Sequence, residues 1–110
     1  MGAGEWVGII EGIRDRARRE AIRITAHAHV EMVEENIALA EVLEALDNGH
    51  VLEDYPEHRR GACCLISGRT VANRPLHVVC TSSQPIVVII TVYQPKRPKW
   101  ATSEQRGNVP

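Results

Sequence analysis

Two stretches near the end of the chain decide how it folds: Pro75-Leu76-His77-Val78-Val79-Cys80-Thr81 and Ile86-Val87-Val88-Ile89-Ile90-Thr91-Val92-Tyr93. Both are rich in β-branched residues and read as strands. The link between them, Ser82-Ser83-Gln84-Pro85, is short enough to join antiparallel neighbours. Ile86 to Ile90 is apolar on both faces, which predicts a strand that is central or covered by helix. Working outward, Val51 to Tyr55 and Ala62 to Ser67 read as two further strands, separated by turn-rich segments. Upstream of Asn48-Gly49 the apolar period lengthens to that of a helix. Leu39 to Asp47 would bury Leu39, Val42, Leu43 and Leu46. Thr25 caps an earlier helix whose apolar stripe is Ala26, Val30, Val33 and Ile37, leaving His27, Glu31 and Glu34 along its flank. Ala21 to Ile24 alternates as a short strand, and Trp6, Ile9, Ile10, Ile13, Ala17 and Ala21 make an amphipathic helix before it. The order predicts an α+β fold: an antiparallel sheet of four to five strands with N-terminal helices packed on one face and the other face open.

The chain has 110 residues, 44 % of them apolar and 25 % charged, which fits one compact domain and excludes a disordered acidic chain. Residues 22–100 form the domain, 1–21 a helical extension, and 101–110 a tail with little to bury that is expected to be mobile. The net charge of -1 hides an asymmetry: residues 31–60 carry 9 acids and 2 bases, whereas 61–110 carry 1 acid and 6 bases. A basic field of that kind attracts phosphate. Three cysteines, two of them adjacent, form neither a disulfide framework nor a zinc spacing. No apolar run is long enough for a membrane span and the start does not resemble a signal peptide, so the expected setting is the reducing cytoplasm.

Several residues suggest phosphodiester chemistry. Arg69 and Arg74 bracket the turn before the strand carrying His77, and two guanidinium groups suit a phosphate on which charge is growing. His77 can move protons near neutral pH; with Pro75, His77 and Val79 on one side of their strand and Val87, Ile89, Thr91 and Tyr93 on one side of theirs, His77 and Tyr93 meet on the open face if the strands pair in the matching register. His27, at a helix N-terminus with Glu31 one turn on, is a second proton-transfer candidate. For RNA, such groups would activate a 2′-hydroxyl, protonate the departing 5′-oxygen and hold the phosphate without a metal. His27 and His29 point about 200° apart on a helix, so no metal site is expected, nor any cofactor. Trp100 follows Lys96, Arg97 and Lys99, and an indole beside cations can stack on an unpaired base. Each of these residues also has an ordinary structural reading, as a packed histidine, a surface ion pair or an aromatic pinning the chain end.

The strings Ile24-Thr25-Ala26-His27-Ala28, Asn48 through Pro56, Cys64 through Arg69, Arg74 through Val79 and Ile90 through Pro95, with Trp100, resemble the bacterial domain-of-unknown-function family 4258. That family is similar to small toxins of the RelE and BrnT kind, whose genes often lie beside an MqsA-type zinc-finger antitoxin. The resemblance implies a RelE-like sheet, metal-independent cleavage of mRNA, and a cognate antitoxin as partner. It places the catalytic role on His27, Arg69, Arg74, His77 and Tyr93, with Trp100 as an RNA contact. The family usually has arginines in the helix after its T-x-H-A motif, where this chain has Glu31 and Glu35. Anions there weaken phosphate binding and favour the alternative, a non-catalytic module of the same fold that binds a partner protein or a second copy of itself.

Overall fold

The structure is a computed structural model that describes residues 3–96 and 99–107. Its elements are α1 (Ala3–Arg18), β1 (Ile22–Ile24), α2 (Ala26–Glu35), α3 (Leu39–Asn48), β2 (His50–Tyr55), β3 (Cys63–Arg69), β4 (Pro75–Thr81), β5 (Val87–Tyr93), β6 (Trp100–Thr102) and β7 (Gln105–Arg106). Five strands form one sheet in the order β1-β5-β4-β3-β2, and the helices cover one face of it. The α+β fold is therefore as expected. β2 to β5 run antiparallel, while β1 joins β5 in parallel. No tight turn links β1 to β5, so nothing local dictates their relative direction. With β1 on its outer side, the doubly apolar part of β5 lies inside the sheet.

The core fills the space between helices and sheet. Ile10 and Ile13 of α1, Ala28 and Met32 of α2, and Val42, Ala45 and Leu46 of α3 meet Cys64, Ile66, Leu76, Val78, Cys80, Val87, Ile89 and Val92. Full burial of each large aliphatic side chain is worth roughly 1.5–3 kcal/mol. α3 lies directly on β3 at Gly68, where a Cβ would come within 2.0 Å of the Ala45 carbonyl oxygen. Only glycine admits so close an approach.

Two departures from the sequence reading shape the molecule. The β4–β5 register runs His77↔Tyr93, Val78↔Val92, Val79↔Thr91 and then Cys80↔Ile89, so Ile90 is left over in a bulge. The bulge turns Val87 and Ile89 into the core, whereas Thr91 and Tyr93 face the opposite side. The four residues do not share one face.

The second departure is in α2. Its inward residues are Ala28 and Met32, while Val30 and Val33 of the expected apolar stripe are 53 % and 68 % exposed. The reason lies at the edge of β5. β1 stops at Ile24, leaving the amides beyond Ile89 without a strand partner. Glu31 accepts from the Val92 N–H at 3.0 Å and from the Thr91 hydroxyl, and Glu35 accepts from the Gln94 N–H at 3.0 Å. Hydrogen bonds to a charged acceptor are worth about 1.5–3 kcal/mol each. Facing the two carboxylates to the sheet edge therefore outweighs burying two valines.

Residues 108–110 of the expected mobile tail lie outside the described residues, and in its first part β6 and β7 form a hairpin that lies over the helix-free face of the sheet. It is anchored by Trp100, 2 % exposed, and by polar ties from Ser103, Glu104 and Arg106. Those ties are invisible to a reading that looks only for apolar residues to bury.

Candidate functional site

Cross-strand pairing lays four side chains in one row on the helix-free face: His50 beside Ser67, Ser67 beside His77, and His77 beside Tyr93. The expected meeting of His77 and Tyr93 is therefore observed, with Nδ1 and the phenolic oxygen 3.2 Å apart. His77 Nε2 lies 2.6 Å from the carbonyl oxygen of Ser103. A carbonyl can only accept, so the proton sits on Nε2, and Nδ1 is left to accept from the Tyr93 hydroxyl. The Trp100 ring closes over the imidazole edge-on, with centroids 4.4 Å apart. Burial holds the imidazole below its ordinary pKa, against the Ser103 carbonyl and the Glu104 charge, which favour the protonated form. Burial also pushes the Tyr93 phenol upward.

The hairpin supplies the other partners. Ser67 donates to the Glu104 carboxylate, which also holds His50 Nε2 at 2.5 Å. Arg106 makes two bonds to Glu53, at 2.8 and 2.7 Å, and lies over the Trp100 ring at 4.6 Å. Arg106 holds the Glu53 carboxyl below its usual value, and the carboxylate in turn raises the guanidinium. Burial and the neighbouring Glu53 push the Tyr55 phenol up.

The expected convergence of His77 with the two arginines does not occur. His77 is fully buried and both ring nitrogens are engaged, so it cannot take a proton from a ribose hydroxyl in this arrangement. Arg74 turns toward the helices. It donates to the Glu35 carbonyl at 2.6 Å, to the Asn36 carbonyl at 3.0 Å and to the Gln94 side chain at 2.9 Å, with Glu41 at 3.5 Å. These bonds satisfy carbonyls at the C-terminus of α2, where a cation is also favoured by the helix dipole. Arg69 faces the other way, donating to the Asn73 carbonyl at 3.1 Å near Ser103. Alternation along β3 and β4 explains the split: Arg69 pairs with Pro75, and Arg74, one residue earlier, points to the opposite face. His27 stands apart on the surface of α2, 3.4 Å from Glu31.

The expected RNA contacts are also redistributed. Trp100 is buried and presents no open face for a base. Lys96 and Lys99 line a cleft of about 310 Å³ together with Glu31, Glu35, Tyr93 and Gln94, and Lys99 Nζ lies 5.8 Å from the centre of the Tyr93 ring. Arg97 lies outside the described residues. Sequence reasoning missed His50, Ser67, Glu53, Glu104 and Arg106, because their proximity comes from register and from the hairpin's path. Among the described residues no group of three or more His, Cys, Asp or Glu could hold a metal, and no helix is long and apolar enough to cross a membrane.

A second feature lies on the other side of the molecule. Val33 and the 44 % exposed Leu39 flank a groove of about 630 Å³ between α2, α3 and the end of β1, floored by Ile24, Met32 and Ile37 and rimmed by His29, Asn36 and Glu41; Val30 is exposed on the same helix beside it. Exposed valines on one helix face, beside a concave apolar floor, are the kind of surface that partners cover.

A family model described as a domain of unknown function, DUF4258, matches residues 24–94. Neither a curated protein nor a solved structure matches the chain.

Proposed function

The chain belongs to the DUF4258 family, and from that premise we propose that this member is a non-catalytic protein-interaction module on a RelE-like scaffold. The observation that carries the reading is the orientation of α2: its carboxylates serve the sheet and its valines face solvent. The site residues that the toxin resemblance implies support it too. His77, Tyr93, Arg74 and Arg69 each bond to this chain's own backbone or side chains, and His27 pairs with Glu31. The surface suits an apolar helix, whether from an antitoxin-like protein or from another copy. The test is recovery of bound protein from the native host by the wild-type chain and by Val33→Asp. The reading expects specific retention that the substitution abolishes; equal recovery by both proteins sinks it.

A second reading, a metal-independent endoribonuclease acting on mRNA, is favoured by how the hairpin is held. The ion pair His50–Glu104 is about half exposed on both sides, and a pair of that kind contributes about 0–1 kcal/mol. Among the described residues the buried indole Nε1 of Trp100 makes no well-formed hydrogen bond, the Tyr93 hydroxyl being a polar group beside it. If the hairpin lifts, at the expense of the Trp100 packing and the Ser103 and Glu104 bonds, it exposes the His77 Nε2–H between Ser67 and Tyr93. Incubation of RNA with wild type and with Trp100→Ala, chelator present, tests this: 2′,3′-cyclic phosphate ends that vanish in His77→Ala support cleavage, and intact RNA with both proteins rejects it. Both readings place the protein in the cytoplasm, where its free cysteines stay reduced.

A further inference from the structure

We propose that the outer face of α2 is the contact between two copies of this chain, related by a two-fold axis that crosses the helix between Val30 and Val33. The inference rests on the interaction-module reading and commits it to one occupant.

This face is complementary to itself. Ala26, Val30 and Val33 recur at helical spacing on the side of α2 opposite Ala28 and Met32, and all three are exposed. A two-fold axis perpendicular to the helix pairs it antiparallel with its mate. Val30 of each copy then lies against Val33 of the other, and Ala26 reaches the far end of the opposing helix. Such an interface is isologous, because each patch serves as its own complement.

The polar flank obeys the same operation, and His27, although 3.4 Å from its own Glu31, is 70 % exposed and so open to a partner. His27 and Glu34 are both exposed and lie two turns apart on one flank of the valine stripe. The axis keeps that flank on the same side and reverses the chain direction. His27 sits about 7 Å before the axis and Glu34 about 4 Å after it, from the 1.5 Å rise per residue. Each imidazole therefore falls within about 3 Å, measured along the helix, of the partner subunit's Glu34. A partner of different sequence would need no internal match of this kind, whereas a second copy requires it. The groove beside Leu39 extends the contact beyond one helix face, which alone is smaller than the roughly 800 Å² per partner of a standard interface.

Sedimentation equilibrium on the full chain tests the proposal. The wild type is expected to dimerise in the micromolar range, and Val33→Asp to weaken association by about tenfold or more. Position 33 is largely exposed, so the substitution should leave the circular dichroism unchanged. Glu34→Lys is expected to weaken the dimer, and the swap His27→Glu with Glu34→Lys to restore it, which only an antiparallel pairing across this flank achieves. A wild type that stays monomeric to about 100 µM overturns the inference, as does a dimer indifferent to Val33→Asp and to the charge swap. If the monomer instead retains another protein through Val33, the interaction-module reading stands and the second copy does not.

Discussion

His77 is held between a hydroxyl that donates to Nδ1 and a carbonyl that accepts from Nε2, and this arrangement suits only the neutral ring. Its pKa in the fold lies below 6.5, chiefly because it is buried. The unfolded chain therefore binds more protons at this position as pH falls from 6.5 toward the folded value. The stability that His77 contributes is present above pH 6.5 and is lost as pH falls through the folded pKa. Thermal melts of wild type and His77→Asn should show a wild-type decline below pH 6.5 that is smaller in the variant; parallel profiles would mean the ring is not buried neutral. Arg74 gives the complementary case. Arg74→Ala should destabilise by about 1–3 kcal/mol through the carbonyls of Glu35 and Asn36, read as a drop of roughly 4–8 °C in Tm per kcal/mol at this size. An unchanged Tm would remove the structural role assigned to this guanidinium. That His77 could meet Tyr93 was legible, because alternation along two adjacent strands leaves few registers. That Arg74 would leave His77 was not legible, since it depends on which face of β4 the helices cover.

At the scale of elements, the sequence identified the helices and the five main strands closely, because apolar period and turn residues act locally. α2 shows where such reasoning ends. Periodicity marks Ala26, Val30, Val33 and Ile37 as one apolar stripe, yet of these only Ile37 is buried, because the orientation of the helix is set by amides of β5 far along the chain. A single-helix pattern contains no information about a distant strand edge that lacks a neighbour. The same distance explains why Glu31 and Glu35 looked like a defect in phosphate binding. Glu31→Ala should leave the buried Val92 N–H and the Thr91 hydroxyl unpaired, at a cost of about 1–3 kcal/mol. Glu31→Gln keeps an acceptor oxygen and should recover much of the loss. Denaturant titration of the three proteins checks this order, and equal midpoints for Ala and Gln would show that charge rather than edge capping matters. Opening that edge should also raise aggregation, since unpaired strand amides template further pairing.

The whole molecule has two unlike surfaces on opposite sides, one apolar and helical, the other a polar row roofed by a hairpin. The roof was not legible because Ser103, Glu104 and Arg106 bury little apolar area and act through bonds to His77, Ser67, His50 and Glu53. What holds it is testable by sign. Glu53 has its pKa lowered from 4.5, mainly by Arg106, so its contribution is present above pH 4.5 and is lost as pH falls through the folded value. Salt should weaken the same tie at neutral pH, because both partners are partly solvated. Trp100 reports the outcome directly. With Trp6 replaced by Phe, its emission should move to longer wavelength in Arg106→Ala, in high salt and in acid, while the sheet's far-ultraviolet signal persists. Emission that stays buried-like under all three conditions would mean that indole packing against His77, at 4.4 Å, holds the roof without the ion pair. In that case lifting the hairpin requires breaking a packed aromatic contact, and the nuclease reading loses the light closure on which it depends.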